Sequence, residues 1–181
     1  MIPTREECIG LLKKYDISDS KMSHSLLVEQ VAVTISQLLN EKGMHVNVDS
    51  VSKAAILHDI GKESAKSLGK DHAAVGAQIC EKEGIDERIC NIMKNHAVEA
   101  ILDDKLNSIE DKILFYADKI CKMEIIGIDK RFEPWEKKHP SKDLPIAKER
   151  TIALEKEILD KLNLTQEELL IKLRNTVKTI R

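Results

Sequence analysis

Six side chains able to hold a metal ion stand in settings that ask for a common partner. His24 falls in "MSHSLLVEQVA", and His58 and Asp59 end the apolar run of "AAILHDIGK". His72 opens "HAAVGAQIC", His96 closes "NIMKNH", and Asp118 interrupts "ILFYADKIC". Each adjoins an apolar helical face, so each is expected in a core or a cleft. A carboxylate buried there without a partner costs several kcal/mol. A neighbour can satisfy one buried polar group, whereas six converging ones call for something shared. Imidazole nitrogens with carboxylates suit Fe, Mn, Zn, Ni or Co. Two such divalent ions bridged by a carboxylate would use all six ligands, and Asp59 can bridge because it has two oxygens. Water activated by such a metal loses a proton near neutral pH and attacks phosphorus.

The elements that must position these residues are helices. Gly (7) and Pro (4) are scarce, and the apolar period is helical nearly throughout. Thr4-Arg5-Glu6-Glu7 is a capping box that opens a short helix. A second helix is expected from Asp19 or Ser20 to Lys42, with Leu27, Val31, Ile35, Leu38 and Leu39 on one face and Gly43 at its stop. Asp49 or Ser50 caps a third that ends at His58 and Asp59, with Gly61 as its stop signal. "KESAKSLGK" reads as a polar loop. Asp71 opens a fourth helix through Glu83, and Asp86 a fifth that reaches His96. Ser108-Ile109-Glu110-Asp111 starts a sixth. "GIDKRFEPWEKKHPSKDLP" reads as the one long loop, and two helices close the chain, the last behind the capping box Thr165-Gln166-Glu167-Glu168. The fold class expected is all-α.

The order His … His-Asp … His … His … Asp resembles the HD superfamily of metal-dependent phosphohydrolases, and "HDIGK" resembles its HDIG signature. The resemblance spans roughly His24 to Lys122. It implies an HD-domain helical bundle over residues 1–130, with a loop and C-terminal helices over 131–181 packing on the same domain as an extension. It further implies one metal on His24, His58, Asp59 and Asp118 and a second on Asp59, His72 and His96. Asp59 and Lys62 would be the catalytic pair, with Lys62 holding a phosphate oxygen or the charge that builds in attack. Lys66 and Arg131 are further candidates for the substrate phosphate, and Phe132 and Trp135 either stack a base or anchor the loop. The Gly-Tyr-Pro of cyclic-dinucleotide phosphodiesterases does not follow the HD pair.

The expected function is therefore hydrolysis of a nucleotide or other small phosphoester. Nucleoside monophosphates, dinucleoside polyphosphates and other esters all stay open. The alternative is a non-catalytic nucleotide- or signal-binding HD module with structural metal, and a helical scaffold ranks last because it leaves the buried acids unexplained. Net charge is −2, and no run of Lys and Arg supports a nucleic-acid or membrane partner. The N-terminal stretch lacks a signal-peptide core and no apolar run spans a bilayer, so a cytoplasmic protein is expected. Cys8, Cys80, Cys90 and Cys121 form no C-x-x-C pair and read as reduced core thiols. His45 and His139 read as solvated. The Leu- and Ile-rich last helix is either core or a homodimer contact.

Overall fold

A computed structural model describes residues 1–138 and 141–177; His139 lies outside them. Among these residues the ordered elements are helices, with one isolated bridge between Cys121 and Ile125. The axis is α2 (Asp19–Glu41), which packs along α3 (Val48–Leu57) and α8 (Ile109–Ile120). Val28, Val31, Ile35 and Leu39 of α2 are fully buried, at the three- and four-residue spacing of one helical face. Each such side chain contributes roughly 1.5–3 kcal/mol of hydrophobic stabilisation. Helix α1 (Arg5–Lys14) lies on α3, with Arg5 bonded through two nitrogens to the buried Glu29 of α2. The Ser52 hydroxyl of α3 donates to the same carboxylate, so that one charge ties three helices.

Beyond the HD pair come α4 (Lys62–Leu68), α5 (His72–Lys82), α6 (Glu87–Lys94) and the short α7 (Val98–Leu102). After α8 follow α9 (Ile128–Lys138), α10 (Asp143–Leu162) and α11 (Gln166–Thr176). Helix α10 packs on α7, α8, α9 and α2, and α11 on α2. Tyr116 of α8 donates to Glu155 of α10, and Gln166 of α11 donates to the other oxygen of that carboxylate. The four thiols are free and buried.

The structure corrects four local expectations. The segment read as the polar loop "KESAKSLGK" is mostly helix α4, seven residues that bury only Ala65, too short to show a period. Most of the long loop is α9, a helix with Pro134 inside it that is anchored by the buried Ile128 and Phe132. Helix α3 is capped by Asn47, whose side chain accepts from the Ser50 N–H, and not by Asp49 or Ser50. Gly61 is not a left-handed helix stop: its φ is −78° and ψ −11°. Its missing side chain serves close approach instead. A Cβ there would lie 2.2 Å from the His72 carbonyl oxygen and 2.5 Å from the Gly76 nitrogen, so α5 rests directly on the HD turn.

Candidate metal centre

Helix α3 delivers His58 and Asp59 at its C-terminal end, and the two residues after them, Ile60 and Gly61, turn the chain into α4. Helix α2 presents His24 from its first turns and α8 presents Asp118 from its last. Asp71 caps α5 by accepting from the Ala73 and Ala74 amides, which fixes His72 at the first helical position. His96 sits in the turn two residues past α6. The fold brings all six residues together. His58 and Asp59 are 1 % exposed, His96 2 %, Asp118 5 % and His24 8 %; His72 is the accessible member.

Asp59 faces two groups with its two oxygens. Its Oδ2 lies 3.4 Å from His58 Nε2 and 3.9 Å from His24 Nε2. Its Oδ1 lies 3.7 Å from His96 Nε2 and 3.9 Å from His72 Nε2. Asp118 Oδ1 completes the first group, 3.1 Å from His24 Nε2 and 3.8 Å from His58 Nε2.

The hydrogen bonds on the far side of three rings assign their tautomers. His24 Nδ1 meets the Lys122 carbonyl at 2.8 Å, His58 Nδ1 the Ala55 carbonyl at 2.7 Å, and His96 Nδ1 the Met93 carbonyl at 2.5 Å. A carbonyl only accepts, so each Nδ1 carries a proton, and each ring turns its Nε2 toward the centre. His58 Nε2 is buried with no hydrogen-bond partner, His24 Nε2 meets a carboxylate oxygen, and His96 Nε2 meets His72 Nε2 at 3.1 Å. Imidazole nitrogens and carboxylate oxygens gathered at one point form a donor set that a divalent cation takes up. Two overlapping sets, His24 with His58 and Asp118, and His58 with Asp59 and His96, have ligand atoms close enough to hold an ion.

Electrostatics agree with that fit. Burial pushes the Asp59 carboxyl up, but His58, His96 and Lys62 outweigh it and hold the group well below the usual carboxylate range. Burial likewise opposes ionisation of Asp118, and Lys119 with His24 and His58 overcomes it. Burial and the neighbouring His96 push His72 down to about 4, so its ring is a neutral ligand at pH 7.

A cleft of about 440 Å³ opens onto Asp59, Lys62, His72, His96, Arg131 and Trp135. Lys62 Nζ donates to Asp59 Oδ2 at 2.6 Å. The Arg131 guanidinium lies 4.5 Å from the centroid of the Trp135 ring and 3.6 Å from Asp118 Oδ1. Phe132 is fully buried and meets Trp135 edge-on, so it anchors α9 and is not available for stacking. Lys66 is exposed on α4 and does not line the cleft, and His45 is exposed. A larger cleft, about 1020 Å³ beside the turn between α6 and α7, holds none of the six residues.

One group at the site had escaped the sequence reading. Lys119, which also lines the cleft, is buried, and burial pushes its ammonium down from 10.5 against the pull of Asp118. The signal was present in "ILFYADKIC": a helix apolar on every side leaves a lysine no solvent-facing position.

The HD domain family model matches residues 22–123, which include all six residues and more than half of the chain. The chain belongs to the HD family. Members of this superfamily are generally metal-dependent hydrolases, and the two His/Asp sets accord with a divalent-metal site. The HD chain is 31% identical over 153 residues to an uncharacterized protein of Methanocaldococcus jannaschii, covering 75% of itself and 89% of that protein. It is also 31% identical over 132 residues to a tRNA (cytidine(56)-2'-O)-methyltransferase of Thermoplasma volcanium, covering 66% of itself and 37% of that protein. Ribonuclease Y of Thermotoga petrophila is 28% identical over 95 residues, 52% of this chain and 18% of the ribonuclease. The HD chain thus spans well under half the length of the methyltransferase and the ribonuclease. No helix among the described residues is long and apolar enough to cross a membrane.

Proposed function

We propose that this HD protein is a metal-dependent phosphohydrolase acting on a nucleotide or another small phosphoester. The observation that carries this reading is the set of Nε2 atoms and carboxylate oxygens turned toward one another beneath an open cleft, with His58 Nε2 buried and unpartnered. In this reading His24, His58, Asp59 and Asp118 would hold one divalent ion, and Asp59, His72 and His96 would hold the second. Iron, manganese, zinc, nickel and cobalt all suit the mixed nitrogen and oxygen donors. When bound, such ions activate water as a nucleophile and draw charge from phosphoryl oxygens.

The chain's own residues do the rest. Backbone carbonyls behind His24, His58 and His96 fix the tautomers, so these rings need no reorganisation to serve as ligands. Lys62, about one-third exposed at the cleft wall, swings from Asp59 to a phosphoryl oxygen and neutralises charge that develops in attack. Arg131, flattened on Trp135, offers its guanidinium to a second phosphate oxygen. We read the described residues of 131–177 as part of the same domain, a reading supported by α9 bringing Arg131 and Trp135 to the cleft, α10 packing on α9 and α2, and α11 packing on α2. The ribonuclease among the relatives, whose name denotes RNA cleavage, supports phosphodiester hydrolysis as one branch of the reading.

The test is a screen of nucleoside monophosphates, dinucleoside polyphosphates and phosphodiesters with each of the five metals, alongside Asp59→Asn. Turnover of one class that needs metal and is lost in Asp59→Asn is the expected outcome. Metal uptake without turnover of any ester would instead favour a binding module with structural metal.

A further inference from the structure

Lys119 is 2 % exposed, a setting that lysine almost never occupies without fixed partners. It follows Asp118 directly on α8, and consecutive helical side chains diverge by roughly 100°. The backbone therefore does not bring the two side chains together. The lysine bends back over the ring of Phe115, one turn earlier, with Nζ 4.6 Å from the ring centroid, and there meets Asp118 Oδ2. The same Nζ donates to the carbonyl of His96 at 2.8 Å, and the Trp135 ring lies 5.9 Å away.

These two bonds reach opposite halves of the centre. With Oδ2 engaged by Lys119, Asp118 turns only Oδ1 toward His24 and His58. The His96 carbonyl belongs to the residue whose ring faces Asp59 Oδ1 and His72. We propose that Lys119 is a positioning residue that sets the spacing of the two metal half-sites, one ammonium fixing the Asp118 carboxylate in one and the His96 backbone in the other. This rests on the two-ion reading given above. A purely structural role accounts for it poorly, since a buried ion pair is about neutral for stability against an apolar side chain of equal volume. What an apolar replacement cannot supply is orientation of the ligands.

The experiment uses Mn²⁺ alone as the probe. Wild type, Lys119→Met and Lys119→Gln are dialysed to equilibrium against Mn²⁺, the loaded proteins are measured by electron paramagnetic resonance, and the metal-free proteins are melted. Wild type is expected to take two ions with an exchange-coupled spectrum. Folded Lys119→Met is expected to bind at least about tenfold more weakly, with the spectrum of isolated ions. Lys119→Gln keeps one donor and falls between, and it decides the question on the same criteria if the methionine variant does not fold. A folded variant with wild-type affinity and a coupled spectrum, changed only in its melting temperature, overturns the role of Lys119 and leaves the metal reading standing. A wild-type protein that takes up no Mn²⁺ overturns both.

Discussion

Two glycines that meet across the HD turn are expected to respond to alanine in opposite directions. At Gly61 the new Cβ would lie 2.2 Å from the His72 carbonyl oxygen, 2.5 Å from the Gly76 nitrogen and 2.9 Å from the Gly76 Cα, all backbone atoms that no rotamer change can clear. Relief needs roughly 1 Å of separation between α5 and the turn. Overpacking of this kind costs about 3 kcal/mol, the upper part of its usual span, because both sides of the clash are main chain. For a chain of this length each kcal/mol lowers the melting temperature by about 2–4 °C, so Gly61→Ala should melt about 6–12 °C lower. At Gly76 the Cβ meets Gly61 N at 3.4 Å, Ile60 Cγ2 at 3.5 Å and Met93 Cε at 3.7 Å, all ordinary contacts. Alanine inside α5 then gains up to about 1 kcal/mol of helix propensity. Because the main clash is with the carbonyl of His72 itself, Gly61→Ala should also weaken metal binding on the His72 and His96 side. The assay is a urea and thermal melt of both variants, with calorimetric metal titration. A Gly61→Ala protein melting within about 2 °C of wild type would refute the close-approach argument.

Two further predictions concern groups away from the cleft. Tyr116→Phe removes the 2.7 Å donor to the buried Glu155 and leaves that oxygen short of a partner, at a cost of about 2 kcal/mol, read as a lower urea midpoint at unchanged slope. Burial pushes the Cys8 thiol up from 9.0 to about 12. Below the unfolded value both states keep the proton; above it the unfolded chain loses the proton first, so stability falls as pH rises from about 9 toward 12, by about 1.4 kcal/mol per unit. Urea melts of wild type and Cys8→Ala under reductant from pH 8 to 11 should show a shallower decline in the variant, and parallel declines would contradict this.

Long elements were legible because their apolar faces repeat often enough to be read. The buried face of α2, the capping boxes at Thr4, Ser108 and Thr165, and the Asp71 cap of α5 all stand where their residue types place them. Helices α4 and α7 escaped because seven and five residues carry too few apolar positions to show a period. Helix α9 escaped because Pro134 and its charges outweigh Ile128 and Phe132, and tertiary anchoring of those two overrides local propensity. At the centre, sequence order named the six residues that converge, since each adjoins an apolar helical face. It did not name Lys119, whose partners are a neighbour it must bend back to reach and a carbonyl 23 positions away. Nor did it show that Lys66 faces solvent while Arg131 reaches the cleft, because both depend on how α4 and α9 dock.

The most direct measurement is anomalous diffraction from crystals grown with Mn²⁺. Two peaks per chain are expected, one among His24, His58, Asp59 and Asp118 and one among Asp59, His72 and His96. A single peak in the first group would reduce His72 and His96 to substrate contacts. Crystals from Mn²⁺ with no peak at any of the six residues would contradict the metal centre on which the account stands.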